Sequence, residues 1–463
     1  MSANSCLSVL RTDARLDPIA SSVPGHRRMF ATKTSRSTRM RRTAHLRVPS
    51  GRFVCRSMIQ EETEEPVIFG KFGTRIDNFV YKQEADTPMV LSDFTSDKKE
   101  VIAYGASMLV GGVAGVAVVG FEYLTQYVRH LGMDVWLPFV GSSEKEMIEI
   151  FAQLTSVAEP GSAWPVAILP LFGGVTITCI RLLNKNDLGV PLAALNKDPT
   201  EAGARIKPLK VVTKAGAAAI TLGTANSLGP EGPVVELGGN VGVYLGRALG
   251  FRQEELRGFL AAGTAAGLAA GFNAPIAAIF FALELVLKGS VDKGFITMTL
   301  LSAVTAASVK EATLGLAPKF TITNDLSGLG LAELPMYLAV GALCGVMAFF
   351  FEWSTSKSRE SFKKLADAGL PVEYHPLVGS AVMCATALFL PETLFLGYKG
   401  VSNLLVSPLE GWSTVGTLLL ISPVKVIVTS IAAASGLVGG VFAPALFIGA
   451  TTGAMAGTVA ANL

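Results

Sequence analysis

Glu231 is the carboxylate whose surroundings most suggest chemistry. It lies in GPEGP at 229–233, between two Gly-Pro pairs, in a stretch with few other charges. A second break of this kind begins at 440, where GVFAP also places Pro four residues after Gly. Each break is predicted to lead into a small-residue apolar helix, because Pro suits the first helical turn and Gly lets backbone approach a ligand.

Two helix N-termini would therefore present unpaired N–H groups and the positive ends of their dipoles. Such ends bind anions without a basic side chain. Glu231 is predicted to occupy this anion position when ionised and to move out when protonated, which opens the position to a mobile anion. The alternatives are a helix N-cap carboxylate for Glu231 and two ordinary loop-to-helix junctions for the repeat.

The composition indicates that these breaks lie in a membrane. Half of the 463 residues are hydrophobic and 16% are charged, against about a quarter charged in a soluble protein. Runs of about 18 uncharged apolar residues can cross a bilayer, and such runs occur at 101–121, 162–180, 258–283, 334–351 and 426–463. We predict an all-α polytopic membrane protein rather than a soluble protein with that many buried helices.

The predicted helices alternate with polar joints. They are 101–128, 163–183, 208–226, 233–249, 255–271, 274–288, 293–314, 334–353, 374–391, 412–433 and 442–461. Broken helices are tolerated in a membrane only where the loose backbone is buried in protein or lines a cavity. The matching breaks in two halves of the chain are typical of an inverted-repeat transport protein.

The first 58 residues differ from the rest. They hold twelve Lys or Arg and only two acids, with many Ser and Thr, which predicts an organelle transit peptide; the alternative is a disordered basic tail. Residues 59–100 are predicted to be a polar soluble segment and 101–463 the transmembrane domain, with the lipid bilayer as its partner. Because the excess of basic residues lies in the leader, the net charge of +3 does not indicate nucleic-acid binding.

Four motifs make the sequence resemble the CLC family of chloride channels and anion/proton exchangers: GPEGP at 229–233, GGN at 238–240, FNAP at 272–275 and GGVFAP at 439–444. The resemblance covers about 100–463. It implies the CLC-type inverted-repeat helical fold with broken helices, a homodimer with two pores, and chloride or another small monovalent anion as the transported species. No cofactor is implied.

By this resemblance Glu231 is the gating glutamate. The backbone amides of Gly232, Val441 and Phe442 would donate to the anion. The implied anion-binding residues are Gly229, Pro230, Gly232, Pro233, Gly440, Val441, Phe442, Ala443, Leu188 and Gly189.

The sequence departs from the family in three places. The first anion loop of the family reads GSGIP, whereas DLGVP stands here at 187–191, so Leu188 replaces a hydroxyl donor and the site is expected to rely on backbone donors.

Exchangers carry an inner proton glutamate where this chain has Leu285. Glu284 precedes it, but one helical residue turns a side chain by about 100°. The chain also stops inside the helix after the second anion loop, so we expect a C-terminally incomplete fold.

These observations predict a chloride channel gated by Glu231 in an organelle membrane. A chloroplast membrane is expected, the thylakoid before the envelope, with a mitochondrial membrane as the alternative. The alternatives in function are an anion/proton exchanger, a non-conducting truncated subunit that needs full-length partners, and a Na⁺-coupled transporter insensitive to Glu231→Ala. An enzyme is not predicted, because neither a second catalytic carboxylate, nor a nucleophile–base pair, nor a metal cluster accompanies Glu231.

Overall fold

A computed structural model describes residues 96–137, 164–288, 292–315, 320, 333–406 and 411–462. This part of the chain is almost entirely helical, and it contains a single isolated β-bridge and no strand. The all-α fold class is therefore confirmed. The predicted leader at 1–58 and nearly all of the polar segment at 59–100 lie outside the described residues.

The helices follow the apolar stretches of the sequence. In chain order the described α-helices of six residues or more are α1 Ser96–His130, α2 Leu169–Leu183, α3 Leu192–Lys197, α4 Pro199–Ala204, α5 Pro208–Gly223, α6 Glu231–Ala248, α7 Leu256–Phe272, α8 Pro275–Leu285, α9 Lys293–Leu314, α10 Leu334–Asp367, α11 His375–Ala387, α12 Tyr398–Val406, α13 Trp412–Ala434 and α14 Phe442–Asn462. Every predicted helix is present, most with bounds shifted by a few residues.

Two helices extend beyond the predicted apolar stretch. Helix α1 begins at Ser96, inside the segment predicted to be polar and soluble, and α10 continues to Asp367. At 1.5 Å per residue α10 is about 51 Å long, whereas the hydrocarbon core is about 30 Å thick. Helix α10 is therefore longer than the hydrocarbon core is thick, and its second half is polar.

Five segments of the described chain are long and apolar enough to cross a membrane. They are Lys98–Trp136, Trp164–Leu183, Leu334–Asp367, Trp412–Ala434 and Phe442–Asn462. The shorter apolar helices α7 and α8 lie among them in the sequence. Helix α7 is buried along most of its length, so it forms the centre around which α1, α6 and α9 pack.

Helices α6 and α7 touch through their backbones. A Cβ atom at Gly238 would lie 2.1 Å from the carbonyl oxygen of Gly263, and one at Gly267 would lie 2.1 Å from that of Val234. Only glycine allows this approach, since real side chains do not come so close to backbone. The contact fixes α6, whose first residue is Glu231.

We predict that Gly263→Ala destabilises the protein, because its Cβ would lie 2.2 Å from the Gly238 carbonyl oxygen. Overpacking of this kind costs about 1–3 kcal/mol. Gly112→Ala in α1 meets no atom within 4 Å and should be neutral or stabilising by about 0.5–1 kcal/mol. Thermal unfolding in detergent measures both. A Gly263→Ala protein that melts with or above the Gly112→Ala protein would contradict this packing.

Candidate functional site

The two Gly-Pro breaks lie side by side. The N–H of Gly229 donates to the carbonyl of Gly440 at 2.8 Å, and the N–H of Gly440 donates back to the carbonyl of Gly229 at 2.7 Å. This pair forms the isolated antiparallel bridge. Helix α6 begins two residues after Gly229 and α14 two residues after Gly440, so the bridge places two helix N-termini together.

Glu231 fills the space between these N-termini. Its side chain is buried, with only 9% of the residue exposed. The backbone N–H of Phe442 donates to Oε1, while Oε2 has no hydrogen-bond partner among the described residues. A carboxylate carried by α6 thus binds the N-terminus of the other helix, α14, where the helix dipole favours negative charge.

Glycine leaves room for the carboxylate on both sides. A Cβ atom at Gly229 would lie 2.1 Å from Oε2 of Glu231, and one at Gly440 would lie 2.3 Å from Oε1. Gly232 is less constrained, since its Cβ would lie 3.3 Å from Cα of Gly440, a tight contact with backbone. The two breaks therefore enclose the carboxylate closely, which explains the Gly spacing seen in the sequence.

The predicted backbone donors lie in the first turns of the two helices. Phe442 already donates to Glu231. Val441 begins the turn of α14, because its carbonyl accepts from Ala445 at 3.0 Å. Pro230 is the N-cap of α6, and Pro233 sits within the first turn, where its missing N–H would lack a helical partner anyway. Ala443 is fully buried in the equivalent turn of α14.

A cavity of about 400 Å³ opens beside these helix ends. Gly232 and Pro233 line it from α6, and Gly439 lines it from the loop before α14. Leu188 and Gly189 line the same cavity, so the structure brings the predicted first anion loop to the two helix N-termini. Leu188 contributes an apolar side chain to the wall and is itself 8% exposed.

Side chains from neighbouring helices hold this loop in place. Asn240 of α6 donates from Nδ2 to the carbonyl of Val190 at 3.3 Å. Arg181 donates both to the side chain of Asn186 and to the carbonyl of Gly436. The guanidinium thus joins the residue just before the predicted first anion loop to the loop that leads into α14.

Sequence reasoning did not identify the charged residues of this cavity. Arg181, Lys214 and Glu236 line it, and Lys214 forms an ion pair with Glu236. Each of the three is a single charged residue in or near an apolar stretch. That isolation is the feature of the sequence from which they could have been predicted. Two cations against one carboxylate leave a net positive lining, which attracts anions.

The motif FNAP also reaches the site. Phe272 packs edge-on against Phe442, with ring centroids 5.9 Å apart. Asn273 then ends α7 in the left-handed conformation, φ 55°, and Pro275 opens α8. The aromatic contact secures the residue whose N–H binds Glu231.

Leu285 and Glu284 lie away from this cavity. Both are exposed at the end of α8, and neither is among the residues that line the cavity. The carbonyl of Leu285 accepts a hydrogen bond from Asn196 at 2.8 Å. In the described part of the chain, His, Cys, Asp and Glu form no group that could hold a metal ion.

Comparisons with known proteins all point to chloride channels and chloride transporters. Residues 172–463 match the family described as "Voltage gated chloride channel". Chloride channel protein CLC-e of Arabidopsis thaliana is 36% identical over 386 residues, which are 80% of this chain and 51% of the relative. This chain therefore spans about half the length of that relative.

Two further proteins are similar over a larger share of their length. The H(+)/Cl(-) exchange transporter ClcA of Citrobacter koseri is 32% identical over 377 residues, 79% of this chain and 74% of that one. The structure of a slow cyanobacterial Cl⁻/H⁺ antiporter aligns with a TM-score of 0.58 at 23% identity, covering 74% and 76% of the two chains, and supports the fold. From the family match, the fold and the paired helix ends, we conclude that the chain belongs to the CLC family of voltage-gated chloride channels and transporters.

Proposed function

We propose that this protein transports chloride, or another small monovalent anion, across a membrane through a pore gated by Glu231. The observation that carries the proposal is the hydrogen bond from the Phe442 N–H to the Glu231 carboxylate. A carboxylate is itself an anion, so the place that holds it suits a free anion of similar size. When Glu231 is protonated, it loses its attraction to the helix dipole and leaves this place to the mobile ion.

Passive conduction is the form of transport that we propose. The side chain of Leu285 cannot bind or release a proton, and Glu284 beside it is exposed at the end of α8. A second candidate is anion/proton exchange. The name of the bacterial relative, an H(+)/Cl(-) exchange transporter that is 32% identical, favours that candidate.

The location and assembly are also proposals. The Arg-rich, Ser-rich and acid-poor composition of residues 1–58 supports a transit peptide, and the plant relative supports a chloroplast membrane, the thylakoid before the envelope. Helix α8 has apolar side chains on its outside, with Ile276 71% and Phe280 61% exposed. This face suits the contact of a homodimer within the bilayer.

We predict that Glu231→Gln raises anion flux at pH 7.5 and flattens its pH dependence. Glutamine is neutral and nearly the same size, so it resembles the protonated gate at every pH. Because the ionised carboxylate competes with the mobile anion for the helix ends and glutamine carries no charge, we expect a several-fold increase. Flux from proteoliposomes, recorded between pH 7.5 and 4.5, measures the effect.

The matched control is Glu236→Gln, the same substitution five residues later in α6. Glu236 lines the cavity and pairs with Lys214 but does not lie at the helix ends. Wild-type protein and this control should both conduct more as the pH falls. A functional Glu231→Gln protein that keeps the wild-type pH dependence would rule out Glu231 as the gate.

We predict that a chloride gradient drives no proton movement through the wild-type protein. Leu285 leaves the inner proton position without an ionisable group, so anions should pass alone. Sealed vesicles loaded with chloride, with an external pH electrode and a chloride electrode together, measure both fluxes. Empty vesicles give the leak. Uphill proton movement coupled to chloride would establish the exchanger in place of the channel.

A further inference from the structure

Lys425 is a fully buried lysine that takes no part in the site described above. It lies in the middle of α13 and has no exposed surface. Its Nζ donates to the carbonyls of Thr393 and Phe395 at 2.7 Å each, and to that of Leu394 at 3.4 Å. Three carbonyl acceptors around one Nζ match the three N–H donors of the ammonium form of lysine.

The charge of Lys425 is balanced by no ion pair among the described residues. The contrast is Lys310 of α9, which is also buried but pairs with Glu122. Lys425 instead has three carbonyl dipoles and the ring of Phe447, whose centroid lies 5.3 Å from Nζ. Because taking an unpaired ammonium out of water is costly, this arrangement calls for a role beyond packing.

The carbonyls bound by Lys425 belong to a segment that supports the first Gly-Pro break. Phe395 adopts the left-handed conformation, φ 56°, and its N–H donates to the carbonyl of Ala225 at 2.9 Å. Ala225 is also left-handed, φ 63°, and the loop that starts there runs directly into Gly229. Lys425 thus fixes the backbone on which the first half of the bridge rests.

The ring beneath the ammonium belongs to the second break. Phe447 is five residues beyond Phe442 in α14, and Gly397 approaches it so closely that a Cβ there would lie 2.7 Å from the ring. The conformation of Gly397, φ 87°, favours glycine. One ammonium group therefore contacts both the support of Gly229 and the helix whose N-terminus binds Glu231.

We propose that Lys425 is a positioning residue for the gate. It touches no transported anion, and it acts by holding the segment 393–397 and helix α14 in register, so that the Gly229–Gly440 bridge and the Phe442 N–H keep their places around Glu231. The inference rests on the proposed function of Glu231. Loss of the ammonium changes how the gate responds to pH and how the site discriminates between anions.

The test compares Lys425→Met with Lys425→Arg in full-length protein reconstituted into proteoliposomes. The readouts are the pH of half-maximal chloride flux and the ratio of chloride to nitrate flux. Lys425→Met should shift this pH by about one unit, the usual spread that different environments give to glutamates, and should change the ratio. Lys425→Arg keeps the charge and the donors, and should restore both values toward wild type.

Two further variants keep the test decisive. If Lys425→Met does not fold, Phe447→Leu removes the ring under the ammonium group together with the contact of that ring with Gly397, and should shift both readouts in the same direction by less. The control is the double variant Lys310→Met with Glu122→Gln, which removes a buried lysine with its partner and should lower yield alone.

A fall in the amount of active protein, with an unchanged half-maximal pH and flux ratio, would mean that Lys425 is only structural and would overturn the proposal. Glu231→Gln is measured alongside. If that variant keeps the wild-type pH dependence, the proposed gate fails, whereas the flux ratio still reports on Lys425 by itself.

Discussion

The reciprocal hydrogen bonds between Gly229 and Gly440 are the constraint on which the site depends. They join segments more than 200 residues apart and set two helix N-termini against each other. Glycine at both positions leaves the space that the Glu231 carboxylate fills, since a Cβ atom at either one would meet the carboxylate oxygens. The close packing of α6 on α7 through glycines fixes one helix of the pair, and Lys425 contacts the supports of both.

In the proposed function, this arrangement binds an anion where few charged side chains lie. The attraction comes from helix dipoles and backbone N–H groups, which are weaker and more diffuse than a lysine or arginine side chain. The formal charges Arg181 and Lys214 line the cavity beside the helix ends. A conducting site must bind an ion well enough to admit it and weakly enough to release it. In the proposed function, the helix dipoles at the centre and the charged side chains at the edge of the cavity would meet both demands.

The sequence predicted most of the helices, and it predicted that Glu231 lies where a Gly-Pro break meets a helix, because apolar length and Gly-Pro breaks are local signals. The break at 440 could be matched to the break at 229 by pattern, but the two hydrogen bonds between them depend on the tertiary fold. Lys425 was overlooked for the same reason, since a single lysine in an apolar helix shows neither its burial nor its three carbonyl acceptors until the segment 393–395 is placed. The start of α1 and the end of α10 were not predicted, because each helix continues through polar residues beyond its apolar part.

The central claim is that the Glu231 carboxylate occupies the place of a transported anion. The most direct measurement is an experimental structure of the Glu231→Ala variant with bromide in place of chloride, located by its anomalous scattering. We expect a bromide ion within hydrogen-bond reach of the Phe442 N–H, where Oε1 of Glu231 lies in the wild type. An empty gap between the two helix ends, in a variant whose Gly229–Gly440 bridge is intact and whose crystals hold bromide elsewhere, would contradict the account.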